Sequence, residues 1–119
     1  MKKTLVLGAS PNPSRYSNIA VHRLNKNGVE AVPVGIREGV IDGINIIKGE
    51  PSVDDVHTIT LYLNPQRQKA YYDYILGLKP QRIIFNPGTE NLELIKLAKE
   101  QDIEIEIACT LVMLATGVY

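Results

Sequence analysis

At 119 residues with 45% apolar side chains, the chain is long enough to bury one core and too apolar to be a disordered tail. Its 13 basic residues balance 13 acidic ones, and a net charge of zero argues against general nucleic-acid binding, which rests on neutralising many phosphates. The lone Cys109 rules out an intrachain disulfide and fits a reducing cytosol, and no run approaches the roughly 20 apolar residues of a membrane span.

Met1-Lys2-Lys3 runs straight into a strand, without the apolar stretch and cleavage site of a signal peptide, so a cytoplasmic protein is expected. Thr4-Leu5-Val6-Leu7 is a continuous apolar run, the mark of a central parallel strand buried on both faces. Gly8 permits a turn. Ser14 is a candidate N-cap for a helix from Arg15 to Asn27, which would bury Tyr16, Ile19, Ala20 and Leu24. Val29–Val34 reads as a second strand, with Pro33 better placed at its end than in its middle. Gly35 to Gly43 reads as a loop, Ile44–Ile47 as a small extra strand, and Pro51–Asp55 as a helical turn or connector.

His57–Leu63 is rich in β-branched residues and predicts a strand ended by Asn64-Pro65. The spacing then predicts a helix over Gln66–Leu78, buried through Tyr71, Tyr74, Ile75 and Leu78. Arg82–Phe85 is another short buried strand. The turn Asn86-Pro87-Gly88-Thr89 leads into a helix over Glu90–Gln101, with Leu92, Ile95 and Ala98 inward. Ile103–Ile107 alternates strictly, which predicts a half-exposed strand near a sheet edge, and Thr110–Ala115 can form a last short helix. Strands alternating with helices predict an α/β fold: a Rossmann-like three-layer sandwich, as a single domain over residues 1–119, around a mostly parallel sheet of about five strands.

In an open parallel sheet, ligands bind beyond the carboxyl ends of the strands, where strand order reverses. Four loops meet that edge: Ala9–Ser14, Gly35–Asp42, Asn64-Pro65 and Asn86–Thr89. Turn chemistry alone accounts for any one of them; their convergence points to a ligand. The first loop departs from the dinucleotide pattern G-x-G-x-x-G, because only Gly8 matches, with Ser10 at the second glycine and Pro13 at the third. That weakens a case for NAD. Ser10, Asn12 and Ser14 still offer donors to a phosphate, with Arg15 nearby, although Ser14 serves equally well as a helix cap. After the second strand, where NAD-binding domains place an acidic residue, the chain has Gly35-Ile36-Arg37-Glu38. Arg37 suits a ribose bearing an extra phosphate, as in NADP or coenzyme A; a solvated Arg37/Glu38 loop pair is the plainer alternative.

The run Val6-Leu7-Gly8-Ala9-Ser10-Pro11-Asn12-Pro13-Ser14-Arg15-Tyr16-Ser17 closely resembles the opening of the bacterial CoA-binding domain family, small stand-alone relatives of the CoA-binding domain of the succinyl-CoA synthetase alpha subunit. Val32-Pro33-Val34, Tyr62-Leu63-Asn64-Pro65, Asn86-Pro87-Gly88-Thr89-Glu90-Asn91 and the position of Cys109 are similar to later features of that family, so the likeness covers nearly the whole chain. The resemblance implies a Rossmann-like fold and a pocket for coenzyme A or an acyl-CoA. Gly8, Ala9, Ser10, Pro11, Asn12, Ser14 and Arg15 would hold phosphates, and Val34 and Arg37 would lie beside the adenosine. Leu63, Asn64 and Pro65, with Asn86, Pro87 and Gly88, would line the rest of the groove. Members often carry Asn-Pro-Lys or similar after the second strand; here Gly35-Ile36-Arg37 replaces it, with Arg37 supplying the charge.

A catalytic set is missing from this reading. His22 is expected on the exposed side of its helix, His57 has no evident partner, and Cys109 is expected to be a buried structural thiol more readily than a nucleophile. Cysteine and histidine lack metal-ligand spacing. The expectation is a non-catalytic module that binds a small nucleotide cofactor, without nucleic acid or membrane. NADP is a weaker candidate ligand. The alternatives are an NAD(P)-binding Rossmann protein, or a protein-interaction subunit with a vestigial nucleotide site.

Overall fold

The computed structural model describes residues 2–119. Its strands are β1 (Thr4–Leu7), β2 (Ala31–Val34), β3 (Val40–Ile41), β4 (Ile44–Asn45), β5 (Thr58–Leu61), β6 (Arg82–Phe85) and β7 (Glu104–Ile107). Its helices are α1 (Tyr16–Lys26), α2 (Pro65–Gln68), α3 (Tyr72–Gly77), α4 (Leu92–Lys99) and α5 (Thr110–Ala115), with a 3-10 turn at Lys69–Tyr71.

β1, β5 and β6 are buried at every position, as central strands must be when both faces of a parallel sheet are covered. The five-stranded sheet has the order β2-β1-β5-β6-β7, and every pairing in it is parallel. Successive residues of a strand face opposite sides. Leu5, Leu7, Ile59, Leu61, Ile83 and Phe85 therefore pack on one side with Ile75 of α3 and Leu94, Ile95 and Ala98 of α4. Val6 and Ala31 pack on the other with Val21 and Leu24 of α1, with Ile41 and Ile46, and with Leu114 of α5. This is the Rossmann-like three-layer arrangement. β1 feeds β2 on one side, and the chain then crosses to β5 on the other, so strand order reverses between β1 and β5.

Several local expectations need correction. Asp42 and Gly43 have φ of 51° and 79°, the two left-handed residues of a type I′ turn. They close β3 and β4 into an antiparallel hairpin, where a plain loop and one lone strand were expected. Pro51–Asp55 is connector, without a helical turn. The second strand starts at Ala31 and carries Pro33 at its third position, which is tolerated because β2 is an edge of the main sheet.

The helix expected over Gln66–Leu78 breaks into α2, the 3-10 turn and α3. In α1, Tyr16 is 71% exposed rather than buried, and in α4 Leu92 is 85% exposed, its place in the core taken by Leu94. Asn91, not the Asn86–Thr89 turn, caps α4: its Oδ1 accepts from the amides of Glu93 (3.1 Å) and Leu94 (3.3 Å). β7 is an edge strand as its alternation requires: buried Ile103 precedes it, and the strand runs from exposed Glu104 through half-buried Ile105 and Glu106 to Ile107 at 62% exposure.

Most buried polar groups on the α5 side pair with one another, although Arg82 Nη2 and the Tyr62 hydroxyl find no partner among the described residues. Arg82 donates to Thr58 Oγ1 (3.1 Å) and to the Tyr119 carbonyl (2.8 Å), with its guanidinium 4.5 Å from the centre of the Tyr119 ring. Thr60 and Thr110 share a hydroxyl hydrogen bond of 2.8 Å. No helix among the described residues is long and apolar enough to cross a membrane.

Candidate functional site

The loop after β1 is rigid because its neighbours leave it no room. Both Gly8 and Ala9 donate their amides to the Val34 carbonyl, each at 2.9 Å. Gly39 lies so close that a Cβ there would stand 2.5 Å from Pro11 Cβ. Gly8 itself has φ +99°, a conformation open to glycine at no cost.

Asn12 organises the rest of the loop. Its Oδ1 accepts from the Ser14 amide (3.0 Å) and the Ser14 hydroxyl (2.8 Å), and its own amide donates to Ser10 Oγ (3.1 Å). The Asn18 side chain donates to the Ser10 carbonyl (2.9 Å) and so ties the loop to α1. Because Ser14 is engaged with Asn12, it does not cap the helix. The N-cap position is Arg15, whose side chain makes no capping bond. The amides of Ser10, Tyr16 and Ser17 therefore have no acceptor within the described residues. Three donors and the positive end of an eleven-residue helix are left facing out.

They face a cavity of about 830 Å³, within the range of roughly 300–1,000 Å³ typical of small-molecule sites. It lies where β1, β2, β5 and β6 end. Of the residues expected from sequence, Gly8, Ala9, Ser10, Asn12, Arg15, Val34, Arg37, Leu63, Asn64, Pro87 and Gly88 line it. Pro11, Ser14, Pro65 and Asn86 do not. Pro11 packs behind the loop against Gly39, and Pro65 begins α2, where its missing N–H costs nothing. The sequence reading missed Tyr16, Tyr62, Arg67, Ala70, Tyr71 and Thr89, which also form the wall. Ala70 and Tyr71 lie in the 3-10 turn, and the unbroken helical spacing of that segment carries no signal for their place in the wall.

Arg15, Arg37 and Arg67 line the cavity, and no carboxylate residue does. None of the three forms an ion pair within the described residues. Glu38, adjacent to Arg37, turns instead to Lys48 at 3.3 Å. Tyr62 forms part of the wall, and burial pushes its phenol up to about 12. Tyr74, on α3, is raised to about 12 as well, through burial and the nearby Glu50 charge, and its hydroxyl donates to the Pro51 carbonyl at 2.6 Å. Both phenols ionise later in the folded chain than in the unfolded one, where the reference value is 10.0. The unfolded state then binds fewer protons as pH climbs from about 10 to about 12, so stability is complete below that window and falls through it. Urea midpoints measured across the window should decline with pH.

Asn86 is spent on the core. Its Nδ2 donates to Thr60 Oγ1 (2.7 Å) and the Leu61 carbonyl (2.9 Å), and its Oδ1 accepts from the Thr110 amide (2.9 Å). Asn86→Ala orphans a buried carbonyl and a buried amide, and should cost about 2 kcal/mol, read as a lower urea midpoint. His57 immediately precedes β5, at the opposite end of the sheet from the cavity. Its Nδ1 lies 2.7 Å from Thr58 Oγ1, and burial together with Arg82 and Lys2 lowers its pKa. His22, half-exposed on α1, sits 3.7 Å from Asp42. Cys109 is half-buried at the head of α5 and is not part of the cavity wall.

A family model described as a CoA binding domain matches residues 2–115. A solved structure of an uncharacterised protein is 52% identical, with a TM-score of 0.98 over 100% of this chain and 98% of that one. A hypothetical protein from Pyrococcus horikoshii OT3 is 23% identical, with a TM-score of 0.86 over 98% and 83% of the two chains. A protein from Thermus thermophilus is 20% identical, with a TM-score of 0.84 over 99% and 91%. The last two establish likeness of fold. No curated protein matches the sequence significantly.

Proposed function

The chain belongs to the CoA binding domain family, and on that premise we propose that it binds coenzyme A or an acyl-CoA as a non-catalytic module of the cytoplasm, suited to a regulatory role, with the whole chain serving as one binding domain. The observation that carries this reading is that three arginines without an ion-pair partner among the described residues, and no carboxylate, line one cavity at the strand-order reversal. A ligand with several phosphates and an adenosine matches it, since guanidinium groups bind phosphate by charge-assisted and bidentate bonds.

In this reading the free amides of Ser10, Tyr16 and Ser17, with Arg15, hold the diphosphate at the head of α1. Gly8, Ala9, Asn12 and Ser14 shape that cradle, and Pro11 backs it. Val34 lies beside the adenosine, and Arg37 takes the phosphate on its ribose. Leu63, Asn64, Pro87 and Gly88 border an uncharged groove for the pantetheine arm, with Pro65 and Asn86 supporting its loops from behind. An NAD site would want a carboxylate after β2, and this chain has Arg37 there. NADP shares the ribose phosphate, yet the loop lacks the second and third glycines that let a dinucleotide pyrophosphate approach closely. Binding without chemistry is favoured because the charged groups at the cavity are arginines, which stay protonated, and His57 lies at the far end of the sheet.

The test is calorimetric titration of the purified protein with CoA, NAD and NADP, alongside mass spectrometry of nucleotides released on denaturation. Saturable CoA binding, tighter than NADP and lost in Gly8→Asp, is the expected result. Tighter NADP binding would shift the assignment to a dinucleotide site, and no binding of any nucleotide would leave the interaction-subunit reading.

A further inference from the structure

Gln68 is fully buried at the point where α2 gives way to the 3-10 turn. Its side-chain amide donates to the Leu63 carbonyl and to the Thr89 carbonyl, each at 2.8 Å. Its Oε1 accepts from Asn91 Nδ2 at 2.9 Å, and that nitrogen also donates to the Tyr72 hydroxyl at 2.8 Å. Two carbonyls on one side and an amide on the other leave a single sensible orientation for the group, with both donors and the acceptor used.

The two carbonyls belong to different loops. Leu63 lies between β5 and α2, Thr89 lies between β6 and α4, and both residues line the cavity. Leucine, methionine or a charged residue would fill the volume at position 68 without joining the loops. A buried glutamine is costly unless every polar atom is paired, and here the bonds to Thr89 and Asn91 cross to the β6–α4 loop while the bond to Leu63 anchors the group to the β5–α2 loop.

We propose that Gln68 is a positioning residue: it sets the width of the groove between the β5–α2 and β6–α4 loops, and through that width the affinity for the uncharged arm of the ligand. The assignment of the arm rests on the CoA reading above. The diphosphate and adenosine, held by the β1–α1 loop and Arg37, do not touch these loops, so the two halves of the ligand report separately.

The experiment is titration of wild type, Gln68→Met and Gln68→Glu with CoA and with ADP, which carries the adenosine and diphosphate alone. Gln68→Glu keeps the shape and the acceptor but loses both donors, and serves if Gln68→Met does not fold. The expected result is CoA binding weakened at least about tenfold, with ADP binding within about twofold of wild type. Equal weakening of both ligands marks a merely structural role and overturns the proposal, as does unchanged CoA binding. Hydrogen exchange without ligand gives an independent reading. Faster exchange confined to residues 63–67 and 87–90 supports the strut; unchanged or uniformly faster exchange overturns it. If wild type binds neither ligand, the CoA assignment fails and the exchange result alone decides the role of Gln68.

Discussion

Gly35→Ala should abolish measurable CoA binding and lower the unfolding free energy by about 3 kcal/mol, although it adds only one methyl group. A Cβ at this position would run into the carbonyl oxygen of Ala9. Neither side of that contact can yield cheaply. Ala9 is held by the hydrogen bond its amide donates to the Val34 carbonyl (2.9 Å), and Gly35 by the one its own amide donates to the Ile47 carbonyl (3.0 Å). The clash is with backbone, so no rotamer change relieves it. Relief must come from pushing the β1–α1 loop away from β2, which moves the Ser10 amide and the head of α1 out of register. A displacement of about 1 Å at a site of fixed donors costs on the order of a hundredfold in function. Gly77→Ala is the control: it sits in α3 with open space around its Cβ position, and should be neutral or stabilising by up to about 1 kcal/mol. Urea titrations of the two variants, followed by calorimetry with CoA, check both statements. Wild-type stability and affinity in Gly35→Ala would show that the loop is not packed as described.

The parts of the fold that were legible in the sequence are those where one physical cause dominates. Thr4–Leu7 and Arg82–Phe85 are short apolar runs with turn residues after them, and only burial on both faces suits such a pattern. The strict alternation of Ile103–Ile107 marked an edge. The misreadings share another cause, which is that tertiary contacts overrule local periodicity. Tyr16 fits the apolar stripe of α1 by spacing, yet it stands at the mouth of the cavity and stays exposed. Helical spacing runs on through Gln66–Leu78, but the helix breaks after Gln68, whose side chain is tied to two loop carbonyls, and Ala70 and Tyr71 of the following 3-10 turn line the cavity. Ser14 has the chemistry of a cap and is claimed by Asn12, two residues earlier. The Asp42-Gly43 hairpin is a different case, because the dipeptide is a strong turn signal in its own right, yet Val40-Ile41 before it was read as loop while Ile44–Ile47 after it was read as a lone strand. For the site, the four loops were legible because parallel strands place their carboxyl ends on one rim. Arg67 was not, because nothing in a helix of surface-like composition says which way one arginine points.

Charge reversal at Arg37 separates the ribose phosphate from the rest of the ligand. Arg37→Glu should weaken CoA by roughly a hundredfold or more: a charge-assisted bond to phosphate is worth about 1.5–3 kcal/mol, and repulsion replaces it. Dephospho-CoA, which lacks that phosphate, should lose far less in the same variant. Arg15→Glu should weaken both ligands alike, since Arg15 stands at the uncapped head of α1 where the proposed reading puts the diphosphate. Glu38 does not complicate the comparison, because its carboxylate is turned to Lys48, and an exposed pair of that kind contributes little to stability. Arg37 is exposed, so its share of the affinity must fall with added salt, and the gap between CoA and dephospho-CoA in wild type should narrow as ionic strength rises. Calorimetry of the two ligands against the two variants, at low and high salt, gives the full comparison. Equal weakening of CoA and dephospho-CoA by Arg37→Glu would place the ribose phosphate elsewhere and leave Arg67 as the guanidinium free to take it.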